Sequence, residues 1–196
     1  MKHRIGINGR ESWDELCEFI ETVAAAGCKT FIVHARIALL QGLSPKENRE
    51  IPPLRYEDIY QLKRDFPHLE VLLNGGISTY EQCDDHLQHV DGVMLGRAAY
   101  QTPWILAEAD TRYFNAVQNS VTQHIDAMHA YMPHIEQQLQ QDVYLHHMLR
   151  HTLGLFHGMP GGRLFRRYIS ENATKKGAGI EVLTTALEML EAPITI

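Results

Sequence analysis

Two stretches of this 196-residue chain put glycine and fixed positive charge where an anion can be held: Asn74-Gly75-Gly76 and Gly96-Arg97-Ala98-Ala99. Each follows an apolar run of buried-strand length, Val71-Leu72-Leu73 and Val93-Met94-Leu95. Glycine lets the backbone approach phosphate oxygens, a helix start offers partial positive charge, and arginine presents a planar fork of donors. Ser78-Thr79-Tyr80-Glu81 reads as a capping box that starts a helix just after the first cluster. Taken singly, each glycine cluster is better read as ordinary punctuation after a strand. Their recurrence at consecutive strand ends favours a phosphate dianion.

These residues are positioned by an alternation of strands and helices. Residues 1–8 and 29–34 are expected strands, separated by a helix that opens at the capping box Ser12-Trp13-Asp14-Glu15, with Leu16, Phe19, Ile20 and Val23 at helical spacing. A long loop, 38–54, carries Lys46 and Arg49, and a loop of that length tends to be functional or disordered. A helix over 56–66 leads through Pro67 to strand 70–73, and a last strand covers 91–95. With no hairpin signal between them, these units predict a parallel sheet of right-handed crossovers. Its rim would carry His34, Asn74 and Gly96, as the catalytic rim of a (βα)8 barrel does. Beyond residue 102 only helices are expected, over 120–132, 135–153, 163–172 and 180–190.

The formal charge of −6 excludes a wholly basic nucleic-acid coat, though not a local patch. One such patch lies between Arg150 and Lys176, where Arg163, Arg166 and Arg167 share a helix face, interleaved with Phe165 and Tyr168. It reads either as a solvated helix face or as a surface for RNA phosphates, with aromatic neighbours for stacking. Cys17, Cys28 and Cys83 show no metal-ligand spacing and read as reduced structural thiols, and the twelve histidines lack a ligand frame, so no metal site is expected. There is neither a membrane-length apolar span nor a signal-peptide pattern, so a cytoplasmic protein without membrane contact is expected.

Together, Lys2-His3-Arg4-Ile5-Gly6, Val33-His34-Ala35-Arg36, the 42–49 run GLSPKENR, Leu73-Asn74-Gly75-Gly76-Ile77, Met94-Leu95-Gly96-Arg97-Ala98-Ala99 and the 150–158 run RHTLGLFHG resemble the tRNA-dihydrouridine synthases, specifically the bacterial A-type subfamily. The resemblance implies the FMN- and NADPH-dependent reduction of D-loop uridine to 5,6-dihydrouridine in tRNA. It implies that Lys2 and His34 contact the flavin, that Asn74, Gly75, Gly76, Gly96 and Arg97 hold its ribityl chain and phosphate, and that Lys46, Arg49, Arg163 and Arg166 orient the tRNA. A lysine beside the ring would stabilise a negatively charged reduced flavin. Without the family, Lys2 reads as a rim charge at a frayed end.

The family has a complete barrel followed by a helical RNA-binding domain. This chain corresponds to the last four βα units, residues 1–102, and the helical tRNA-binding domain, residues 103–196. The expected fold is therefore α/β: a partial (βα)8 TIM barrel followed by a small all-α domain. The family's catalytic cysteine falls in the absent part, so no catalytic residue is expected here. Unpaired edges of a half barrel imply self-association. The alternative expectation is a non-catalytic tRNA-binding fragment without flavin.

Overall fold

The computed structural model describes residues 1–191, and its backbone forms two compact units, one ending at Gly96 and the other beginning at Arg97. That division falls a few residues before the expected 102/103 boundary, because Arg97–Gln101 is already helical.

The first unit is α/β. Four strands, β1 (Lys2–Arg4), β2 (Thr30–His34), β3 (Glu70–Asn74) and β4 (Gly92–Met94), pair in parallel in sequence order. The crossovers contain α1 (Trp13–Ala25), α2 (Tyr56–Asp65) and α3 (Tyr80–Leu87). Side chains alternate across a strand. One set, Phe31, Val33, Val71 and Leu73, is wholly buried, together with Leu16 and Ile20 of α1 and Ile59 and Leu62 of α2. His3 belongs to this helical side, its ring packing against Phe19 of α1 and Phe31 of β2. The other set includes Lys2, Arg4, His34 and Asn74, and this face is only partly covered. A parallel sheet ordinarily has both faces covered.

Some boundaries differ from expectation. β1 stops at Arg4 because the chain soon reverses: Ile7 and Arg10 exchange backbone hydrogen bonds at 3.0 and 2.9 Å, with positive φ at both Asn8 and Gly9. Asn-Gly is the sequence mark of such a two-residue turn, so a hairpin signal was present after all. Helix α3 is capped one residue later than expected. Thr79, not Ser78, accepts from Gln82 N, and the Gln82 side chain reaches back to the Thr79 N–H.

The second unit is all-α: α4 (Arg97–Gln101), a 3-10 turn over Pro103–Leu106, α5 (Ala109–Tyr113), α6 (His124–Leu139), α7 (Leu145–Leu149), α8 (Gly162–Asn172) and α9 (Ile180–Glu191). Helix α6 runs through Pro133, where a break was expected. Met128 and Ile135, on either side of the proline, are both buried in the core of this unit, and their burial holds the helix together. That core also takes Leu145 and Leu149 of α7, Phe165 and Ile169 of α8, and Leu183 and Leu187 of α9, with Phe156 edge-on to Phe165 at 4.7 Å. Gly162 opens α8 because a Cβ there would strike the Phe156 carbonyl oxygen.

Burial in the first unit has a pH consequence. Desolvation lowers the proton affinity of His86 on α3 and of His3 on β1 below the ordinary histidine value of 6.5. The Tyr60 hydroxyl lies 2.6 Å from His86 Nδ1, and the Tyr56 ring packs on the same imidazole at 4.5 Å. Below pH 6.5 the unfolded chain binds protons that the folded chain refuses, so stability is fully present above that pH and is lost as the pH falls. In urea titrations between about pH 5 and about pH 8, the span over which histidine changes charge, the stability of the first unit is expected to fall on the acid side. His86→Gln is expected to flatten that slope; an unchanged slope would remove His86 as its cause.

Candidate anion-binding rim

The register of the sheet aligns Arg4, His34, Asn74 and Met94 in one row at the carboxyl ends of the strands. Asn74 is its pivot and is only 7% exposed. Its Nδ2 donates to the Met94 carbonyl at 2.7 Å, which turns its Oδ1 the other way to accept from Lys2 Nζ at 3.1 Å. Lys2 thus reaches from β1 across β2 to β3. The strand then leaves through Gly75 and Gly76, at φ 120° and 77°, in the region that favours glycine. A Cβ on Gly76 would meet Leu54 and the Tyr56 hydroxyl at 2.7 Å, and one on Gly75 would crowd the His34 ring at 3.2 Å. The Tyr56 hydroxyl donates to the Gly75 carbonyl at 2.9 Å and fixes the turn.

Positive charge accumulates here. Partial desolvation, and then the charge of Arg4, lower the proton affinity of Lys2; Arg4 is lowered by desolvation, then by Arg36 and Arg49. Arg4 Nη1 donates to the carbonyls of Ile37 at 2.8 Å and Asn48 at 2.9 Å, and Arg36 Nε donates to the Pro52 carbonyl at 2.6 Å. Among the described residues neither Lys2 nor Arg4 is held by a carboxylate. Mutually repelling cations on one rim are what a bound anion relieves.

The long loop is ordered by the same groups. Asn48 Oδ1 accepts from Leu39 N at 2.8 Å and its Nδ2 donates to Leu39 O at 2.6 Å, while Ser44 and Glu47 bond reciprocally around a 3-10 turn, Glu47–Arg49. Lys46 and Arg49 stand exposed on it.

The expected site residues therefore divide. Lys2, His34, Asn74, Gly75 and Gly76 come together on one rim, with Lys46 and Arg49 on the loop tied to it through Arg4. Gly96 lies two residues past the Met94 end of the row, and a Cβ there would meet nothing within 4 Å, so its backbone is open to close approach. Arg97 opens the second unit. Arg163 and Arg166 sit on α8 as their spacing predicts; Arg163 is exposed, whereas Arg166 is half-buried. Sequence reasoning passed over Arg4, Asn48 and Tyr56. Arg4 and Tyr56 act on backbone carbonyls distant in the chain, and Asn48 acts on backbone groups within its own irregular loop, so none leaves a local pattern.

Among the described residues no helix is long and apolar enough to cross a membrane, and no group of three or more His, Cys, Asp or Glu is placed to hold a metal ion. None of Cys17, Cys28 and Cys83 is in a disulfide.

Comparison with known proteins bears on this arrangement as a whole. The family model described as dihydrouridine synthase matches residues 1–191. The chain is 55% identical to the tRNA-dihydrouridine(20/20a) synthase of Pasteurella multocida, with 97% of this chain and 58% of that protein covered. It is 54% identical to the synthase of the same name from Vibrio cholerae, over 95% of this chain and 57% of the other. It is also 54% identical to that of Escherichia coli K12, over 97% and 55%. The chain thus spans little more than half the length of the curated relatives it matches.

Proposed function

The chain belongs to the dihydrouridine synthase family, and on that premise we propose that it is part of a tRNA-dihydrouridine synthase, reducing D-loop uridine with FMN as cofactor and NADPH as reductant. The sheet would then be four consecutive units of a (βα)8 barrel, its partly covered face the barrel interior. The observation that carries the reading is the hydrogen bond from Lys2 to Asn74 beside the Gly75-Gly76 turn, at the carboxyl ends of parallel strands, which is where barrel enzymes bind their ligands.

The residues present suit a flavin mononucleotide. Gly75, Gly76 and Gly96 supply backbone that a Cβ would obstruct or that stands open, and Gly96 is followed in the chain by the Arg97 guanidinium. Lys2 holds a positive charge oriented by Asn74, and His34 flanks the Gly75 turn. Bound FMN supplies the hydride chemistry, renewed by NADPH. Lys46 and Arg49 on the ordered loop, with Arg163 and Arg166 on α8, would take tRNA phosphates. No residue of this chain is proposed as the proton donor to the uracil. Because the relatives are so much longer, a second reading also stands: a chain that grips tRNA without holding flavin.

Fluorescence titration separates the two. The full chain is expected to bind FMN at least about tenfold more tightly than riboflavin, since a phosphate held by charge-assisted hydrogen bonds contributes about 1.5–3 kcal/mol. Asn74→Ala should remove most of that preference. Equal affinity for FMN and riboflavin, or no binding of either, would overturn the flavin reading.

The sheet has edges at β1 and β4, each with a single strand neighbour among the described residues. We expect the purified chain to self-associate through them. Sedimentation velocity showing a concentration-independent monomer would contradict that.

A further inference from the structure

The second unit contains a cleft of about 420 Å³ that the reading above does not use as such. One wall is the end of α4, Tyr100 and Gln101; the other is the 150–157 turn after α7, with Arg166 of α8 also lining it. The walls can meet because residue 154 is glycine, where a Cβ would collide with the Gln101 carbonyl oxygen. None of the residues lining the cleft is acidic.

Its hydrogen bonding fixes which protons face outward. Arg150 Nε lies 3.0 Å from His151 Nε2, and arginine can only donate, so that nitrogen is the acceptor. A neutral imidazole then carries its proton on Nδ1 and donates it to the Tyr100 oxygen 3.1 Å away. The Tyr100 hydroxyl proton is thereby left to point away from the ring, and the rest of the Arg150 fork stays open. Arg166 adds a third donor, because its Nη1 is buried with no hydrogen-bond partner. Three donor-bearing side chains lining one cleft with no acidic residue beside them suit an anion rich in oxygen, and the exposed Tyr100 ring, at 58%, offers a surface on which a base can stack.

We infer that Tyr100, Arg150, His151 and Arg166 form a seat for one phosphate group of an RNA strand, with Tyr100 available to the adjoining base. This rests on the reading that the chain binds tRNA, and it assigns to that binding a built pocket rather than a general basic face. His151 acts as a positioning residue, holding Tyr100 and Arg150 in donor geometry.

Anisotropy titrations of a labelled tRNA transcript with the full chain test it, at several salt concentrations. Arg150→Gln and Arg166→Gln are each expected to weaken binding about 5- to 30-fold and to flatten the salt dependence by about 0.7–0.9 of a log–log unit. Tyr100→Phe, which keeps the ring and the fold, should weaken binding about 3- to 10-fold with the salt slope unchanged. Lys175→Gln, on an exposed turn of the same basic segment, should change affinity less than about twofold. Inorganic phosphate should displace tRNA more effectively than chloride at equal ionic strength, and lose that advantage in Arg166→Gln. If the unaltered chain binds tRNA and the cleft variants match Lys175→Gln, the seat is overturned while the tRNA reading stands. If competition by phosphate is strong but Tyr100→Phe has no effect, the Tyr100 hydroxyl takes no part in holding the anion, and the seat as assigned is overturned. If the unaltered chain binds no tRNA at all, the reading beneath it falls as well.

Discussion

One hydrogen bond from an ammonium to an amide, Lys2 Nζ to Asn74 Oδ1, ties the first strand to the third, over the strand between them. It is possible only because the sheet is parallel and in register, so that Asn74 arrives in the same row as Arg4 and His34. Asn74 can receive it only because the Met94 carbonyl takes its other end. The geometry of the rim follows from that amide: the direction of Lys2, the exit of the chain through two glycines at positive φ, and the packing of Tyr56 beneath the turn. Arg4 feels the charges of Lys2, Arg36 and Arg49 here, and it is itself held through the backbone carbonyls of Ile37 and Asn48.

The two units solve different problems. The first needs strand ends that are stiff and polar, and it obtains stiffness from the buried set centred on Phe31, Val33, Val71 and Leu73. Among its described residues the second has no sheet to organise it, and it depends on close approach of helices and turns, with glycine at two close contacts. Gly162 admits the Phe156 carbonyl and Gly154 admits that of Gln101. The same closeness that builds its core shapes the cleft lined by Arg150 and Arg166.

Much of this could be read from the sequence, for physical reasons that differ by element. Helix α1 was legible because Ser12 and Glu15 form a capping box and its apolar residues keep helical spacing. β2 and β3 were legible as apolar runs ending at polar residues, as buried parallel strands do. The expected gap between helices at residues 133–134 is absent, because buried Met128 and Ile135 outweigh the hydrogen bond lost at Pro133. Asn8-Gly9 carried a turn signal, hidden among residues that otherwise read as one strand. Lys2 could not be distinguished from a frayed terminal charge by any local pattern, since its partner lies 72 residues away. The roles of Arg4 and Tyr56 were hidden for the same reason, and the proton on His151 becomes legible only once Arg150 and Tyr100 are seen on either side of it.

The most direct test is residue-resolved: amide spectra of the isotopically labelled full chain, recorded as FMN is added. Binding at this rim requires the backbone amides of Gly75, Gly76 and Gly96 to move first and furthest, with the Asn74 side-chain amide among them. FMN that binds while these signals stay still and those at the amino ends of the strands, Thr30 and Glu70, move instead would contradict it.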